Sequence, residues 1–245
     1  MRWFMTLMAV VLVSTIHAAE NEAEKVFREA EKNLQAAKTV LVRFDVKATT
    51  GKLQGTLVLA EQDKMRVDCK GSAGPLSFQA PARIGNGTTI ITVSRADTEK
   101  ASVEKTADSP KGLGSSLRGM LLRSGILMEF IPITGGKTPA ETGTTFKLSN
   151  FKFGANEKVG DIDARVIEYT VAIEGKSVVV WMGALEKTIS LKGMEKASAK
   201  LWVDSKTNLP MKLEVRSELD GAPVEFVETF VIDGKVDAKL FEGPK

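Results

Sequence analysis

Two hydrophobic periods follow one another along this chain. Between residues 22 and 37 the apolar residues Ala23, Val26, Phe27, Ala30, Leu34 and Ala37 recur at helical spacing. Glu22, Glu24, Lys25, Arg28, Glu29 and Lys32 fill the other side. This pattern predicts an amphipathic helix with one face to bury. From Val40 apolar and polar residues alternate instead, with Val40, Val42, Phe44 and Val46 set against Leu41, Arg43, Asp45 and Lys47. That is the signature of a half-buried strand. Thr50-Gly51-Lys52 turns the chain, Leu53, Gly55, Leu57 and Leu59 alternate again, and the polar turn Glu61 to Lys64 leads into Met65, Val67 and Cys69. Three strands joined by short turns predict an antiparallel meander.

Asn86-Gly87 marks a hairpin ahead of the β-rich stretch Thr88 to Val93, and with Thr88 it also forms a glycosylation sequon. Ser109 to Gly119 is dense in Pro, Gly, Ser and Lys and reads as a loop. Leu117 to Leu122 then predicts a short helix inside an apolar stretch that continues to Ile133. Strands are expected over 146–153, 164–173, 177–182, 197–203, 209–216 and 224–232, separated by turns rich in Gly, Asn and Asp. The fold class is mainly β: a curved, barrel-like antiparallel sheet of about ten strands, with an N-terminal amphipathic helix and a short mid-chain helix covering one side.

The first residues change the picture. Arg2 precedes an apolar run from Trp3 to Val13, and Ile16-His17-Ala18-Ala19 offers small residues for cleavage. The run is about half the length a membrane span requires, so residues 1–19 are expected to be a cleaved signal peptide and 20–245 a single exported domain. The one cysteine, Cys69, is not at the cleavage point, so no lipid acceptor is expected there, and no internal disulfide can form. Sharing a strand face with Met65 and Val67, it reads as a buried, inert thiol. The formal net charge is +3, with the two signs interleaved, and no stripe suited to nucleic acid emerges. His17, the one histidine, leaves with the leader. Chemistry that needs an imidazole, including Ser-His-Asp nucleophiles and His-ligated metals, is then closed to the mature chain.

Four short motifs have plainer explanations. Gly135-Gly136-Lys137-Thr138 lacks the earlier glycine of a phosphate-binding loop, since position 131 is Ile. Ser149 and Lys152 match a Ser-x-x-Lys pattern, but on a strand residues three apart face opposite ways. Asp161 and Asp163 lack the further oxygen ligands of a calcium loop. Asp204 and Asn208 open and close a turn through local hydrogen bonds. An active site without histidine, built from carboxylates or lysines, remains the runner-up to a binding function.

The order of elements, with Leu41-Val42-Arg43-Phe44, the hairpin Gly51 to Leu59, Leu201-Trp202-Val203-Asp204 and Asn208-Leu209-Pro210-Met211-Lys212, resembles the LolA/LolB-like superfamily of periplasmic lipoprotein carriers and sensors. Glu61 to Arg66 lacks the Arg-Pro pair of the soluble carriers, so the resemblance points to a lipid-binding relative. It implies an incomplete antiparallel β-barrel closed by helices, whose apolar cavity takes up acyl chains of lipids or lipoproteins. Membrane-bound donor and acceptor proteins are the partners it implies; the chain is expected to be a monomer without a cofactor, and the lack of histidine and the single buried thiol predict that no metal is needed. The superfamily includes a pigment-biosynthesis enzyme, which keeps the enzymatic alternative open. On the carrier reading, the cavity candidates are Phe44, Leu57, Leu59, Met65, Leu121, Leu122, Leu127, Phe130 and Trp181, with 119–133 as wall or lid.

Overall fold

The computed structural model describes residues 22–94, 102–109, 111–124, 145–174, 177–182, 185–190, 197–219 and 222–244. Helix α1 spans 22–36 and buries the face formed by Ala23, Val26, Phe27, Ala30 and Leu34. The predicted meander follows as β1 (Val40–Ala48), β2 (Gly51–Leu59) and β3 (Lys64–Ala73). Next come β4 (Leu76–Gln79), β5 (Ala82–Asn86), β6 (Thr89–Ser94) and β7 (Ser102–Asp108). Helix α2 (Leu113–Ser124) precedes β8 (Thr145–Phe153), β9 (Glu157–Val159) and β10 (Ile162–Glu174). The chain closes with β11 (Ser177–Met182), β12 (Leu185–Ser190), β13 (Ala197–Asp204), β14 (Pro210–Leu219), β15 (Ala222–Ile232) and a 3-10 turn, Ala238–Phe241.

Thirteen strands form one sheet in the order β7-β6-β5-β3-β2-β1-β15-β14-β13-β10-β8, with β4 beside β3 and β9 beside β10, and β11 and β12 pair separately. Each pairing is antiparallel. The sheet curves without closing, so the architecture is the incomplete barrel with helices that the sequence implies. The last strand returns beside the first: β1 pairs with β15 from Val40↔Ile232 to Ala48↔Val224. That pairing joins the N-terminal meander to the C-terminal wing through contacts far apart in sequence.

The strand count exceeds expectation because β4 and β9 have only 4 and 3 residues, and β7, Ser-Val-Glu-Lys-Thr-Ala-Asp, carries almost no apolar alternation. The Asn86-Gly87 hairpin is present between β5 and β6. Asn86 Oδ1 accepts from the N–H groups of Thr88 and Thr89 at 3.0 Å. Gly87 takes a left-handed φ of 98°, and a Cβ there would lie 2.3 Å from the Gln62 carbonyl oxygen. The loop expected up to Gly119 is shorter than its composition suggests, since α2 already begins at Leu113. Leu113, Leu117 and Leu121, four residues apart, bury one stripe and outweigh the coil preference of Gly114, Ser115 and Ser116.

Candidate functional site

The inner face of the sheet and the apolar faces of both helices meet in one continuous core. The sheet contributes alternating positions: Val42, Phe44 and Val46 from β1, Leu57 and Leu59 from β2, Met65 and Val67 from β3. From the other wing come Tyr169, Leu201, Leu213, Phe226 and Phe230. Phe44, Leu57, Leu59, Met65, Leu121 and Leu122 are all buried in this layer, so those candidates converge on one region. The Phe44 ring lies against Gly55, where a Cβ would stand 2.7 Å from it. Leu127 and Phe130 lie outside the described residues. Trp181 belongs to β11, apart from the main sheet, and its side chain lies outside the description.

An aromatic group fixes α1 on the C-terminal wing. The Phe27 ring sits 5.1 Å from Phe151 and 4.9 Å from Tyr169, and Phe151 stacks on Tyr169 at 5.4 Å. Phe151 reaches this position through a bulge, where Asn150 and Phe151 of β8 oppose the single residue Tyr169 of β10. Asn150 absorbs the bend with a φ of 58°.

Polar ties hold the two helices over the layer. Asp233 Oδ1 accepts from the N–H groups of Lys38 and Thr39 at 2.6 and 3.2 Å, pinning the end of α1 to the end of β15. Asn33 donates to the Thr207 carbonyl at 3.2 Å and Asn208 donates to Glu29 at 2.7 Å, so the 204–208 turn grips the polar face of α1. Asp204 closes that turn by accepting from the N–H groups of Lys206 and Thr207, which draws its carboxyl below the usual range. The Asp204 and Asn208 motif is thus structural, as expected.

Helix α2 has different anchors. Asp63 Oδ2 accepts from the Gly112 N–H at 3.1 Å beside the helix N-terminus, where a negative charge is favoured. Near the other end the Tyr169 hydroxyl donates to the Leu122 carbonyl at 2.5 Å, and Arg123 meets Glu31 of α1 at 2.6 Å. Glu31 also accepts from Arg28 at 3.0 Å and is almost fully buried. Burial, then the charges of Glu228 and Glu31, push the Tyr169 hydroxyl well above the ordinary phenol range.

Glu228 was missed by the sequence reading. It is fully buried on β15, in register with Phe44 on β1 and Leu213 on β14. The signal was available: Val224, Phe226, Glu228 and Phe230 share one phase of the alternation, and a carboxylate stands where an apolar residue belongs.

Cys69 is half-buried rather than fully buried. Burial and the neighbouring Asp68 push its thiol up to about 11, the direction expected of an unreactive thiol. Among the described residues, no group of three or more His, Cys, Asp and Glu is placed to hold a metal ion. On the outer face, Arg43, Asp45, Gln54, Thr56, Asp68 and Lys70 rim a depression of about 470 Å³. Its charged rim lies on the opposite side of the sheet from the apolar layer.

No family model matches the chain, and no curated protein sequence matches it. Among solved structures it is similar to LprF from Mycobacterium bovis, with 9% identity, 89% of this chain and 95% of that one covered, and a TM-score of 0.48. It is also similar to the Mycobacterium tuberculosis lipoprotein LppX, with 11% identity, coverage of 89% and 98%, and a TM-score of 0.47. A LolA superfamily protein from Nitrosomonas europaea aligns at 9% identity, with coverage of 90% and 97% and a TM-score of 0.33. Likenesses of this degree carry no functional argument, and the fold rests on the strand pairing itself.

Proposed function

We propose that this chain is an exported carrier or sensor that holds the acyl chains of lipids or lipoproteins between the inner face of the sheet and its two helices. One observation carries the reading: a single apolar layer runs under both helices, and α2, one of its two covers, attaches through a few polar contacts, near its ends and at mid-helix, where Arg118 donates to the Lys38 carbonyl. Flexible aliphatic walls of Leu, Val and Met adapt to an alkyl chain, and displacing α2 would expose a surface suited to one. Leu121 and Leu122 then belong to the movable wall, and Phe44, Leu57, Leu59 and Met65 to the fixed one.

Titration with the neutral fluorophore N-phenyl-1-naphthylamine tests this. Saturable binding, displaced by a monoacylglycerol, is the expected result, together with co-purifying lipid in native mass spectrometry. A chain that binds neither overturns the reading. Export is part of the same proposal, supported by the leader-like residues 1–19. N-terminal sequencing of the exported protein should begin at Ala19 or Glu20, and an intact Met1 outside the cytoplasm would refute it.

A further inference from the structure

The outer face of the sheet is divided in charge. Each cation of β8, β13 and β14 has a carboxylate within 3.1 Å, as Lys152 has Glu168 at 3.0 Å. On the N-terminal meander the same face carries Arg43 and Lys47 on β1, Lys52 on β2 and Lys70 on β3, all exposed. Among the described residues none of these four has a partner in an ion pair. Register sharpens the difference, because Lys47 lies directly opposite Lys52, an unfavourable arrangement for like charges. On its other side Lys47 faces Glu225, which Arg216 already holds at 3.1 Å. Asp68 is likewise held by Arg66 at 2.5 Å, which leaves Asp45 as the one carboxyl of β1 to β3 that no cation engages. Arg43 and Lys70 line the depression of about 470 Å³, so positive charge reaches into a recess as well as standing above it. The fold gains nothing from this arrangement; negative charge brought from outside would compensate it.

We propose that the outer face of β1 to β3 docks the protein on an anionic lipid surface. Three of the four cations are lysines, whose flexible ammonium groups suit mobile headgroups that offer no fixed geometry, whereas arginine is the residue for bidentate pairing with a fixed carboxylate. Protein interfaces are enriched in aromatic residues and arginine and depleted in lysine. The outward positions of β1 to β3 hold no aromatic residue, so an acidic protein is the poorer fit. Docked in this way, the sheet keeps both helices turned away from the bilayer. The inference rests on charge alone and stands whether or not the inner layer admits a guest.

Co-sedimentation with vesicles tests this, using phosphatidylcholine alone and an equal mixture of phosphatidylcholine and phosphatidylglycerol. The unaltered protein should pellet with the mixed vesicles in dilute buffer, stay in solution with the neutral ones, and be released by about 0.5 M salt. Each lysine near an anionic surface is worth about fivefold in partition, so the double variant Lys47→Gln, Lys52→Gln should bind about 25-fold more weakly. Lys152→Gln, on the paired wing, should change partition less than about twofold. Equal pelleting of the unaltered protein with both vesicle types overturns the proposal, as does failure to pellet with either, whether or not the variants fold. So does a folded double variant that partitions as the unaltered protein does. Binding to soluble polyglutamate without binding to the mixed vesicles would also overturn it, and would assign the face to an acidic protein instead.

Discussion

Helices α1 and α2 cover the same apolar layer but are built on opposite principles. Helix α1 has no glycine or proline over 22–36 and is rich in Ala, Glu and Lys, good helix formers. It carries its own Glu24–Arg28 pair at 2.9 Å and is tied to the sheet at 204–208 and at Asp233. Helix α2 contains Gly114, Gly119, Ser115, Ser116 and Ser124 among 12 residues. Each glycine costs about 1 kcal/mol of helix stability relative to alanine. Such a segment is helical because Leu113, Leu117, Leu121 and Leu122 are packed, and it has little reason to stay helical once they are not. The first helix is a wall that stands by itself; the second depends on what it covers.

Equal substitutions in the two helices should therefore have unequal effects. Leu34→Ala in α1 should lower global stability by about 2–5 kcal/mol, read from the denaturant midpoint at unchanged slope. Leu121→Ala removes a side chain of the same kind, yet its cost is capped by the free energy of docking α2. Amide exchange in 113–124 should accelerate while the core strands keep most of their protection. Equal midpoints for the two variants would break the contrast.

A smaller effect is expected at the tie between the helix and the sheet. Tyr169→Phe removes the bond to the Leu122 carbonyl and should cost about 1 kcal/mol, concentrated in α2 exchange. Tyr169 is the only tyrosine, so its ionisation can be followed by ultraviolet absorbance. Because folding raises its pKa, the stabilising contribution is complete below the unfolded-state value near 10 and is lost as pH rises through the folded value. Phenolate absorbance should stay absent at pH 10 and appear with unfolding. Titration near 10 in the folded protein would place the hydroxyl in water and undo the tie.

The smallest change sharpens the contrast from the other side. Among the described residues, a Cβ at Gly119 would meet only Gln35 Nε2, at 3.8 Å. Gly119→Ala should stabilise α2 by about 0.5–1 kcal/mol and, if α2 must move for a guest to enter, slow probe uptake about threefold. Gly114 allows no such gain, since a Cβ there would stand 3.1 Å from the Asp63 Cα. Faster uptake in Gly119→Ala would contradict the proposed role of α2.

The same contrast explains what was legible in the sequence. Helix α1 and strands β1 to β3 announce themselves because each buries one clean face, and a single hydrophobic period records it. Helix α2 was half hidden because its glycines and serines speak for a coil, and the packing that overrules them is long-range. The pairing of β1 with β15 joins residues nearly 200 positions apart, which no local pattern encodes. Phe151 enters the aromatic group only through a bulge that shifts the phase of β8, and Glu228 breaks a pattern that was read for its apolar members. The strand candidates Phe44, Leu57, Leu59 and Met65 fall on one buried face because alternation assigns a strand face directly. The carboxyl among them was overlooked because that rule treats a charge as a surface residue.

The bulge in β8 has a second consequence, for what happens when many copies of this chain share a small volume. Among the described residues, β8 and β7 end the main sheet, and a bare strand end is a template on which a neighbour can add its own strand. At β8 that template is interrupted: Asn150 turns the backbone left-handed in mid-strand, and Lys147 and Lys152 flank the break. An approaching strand could match only short stretches on either side and would meet the charged Lys147–Glu174 and Lys152–Glu168 pairs there. At the far end β7 carries Glu104, Lys105 and Asp108 within seven residues. The open sheet thus has rims that are poor seeds for fibrils, and crowding should leave the chain dispersed.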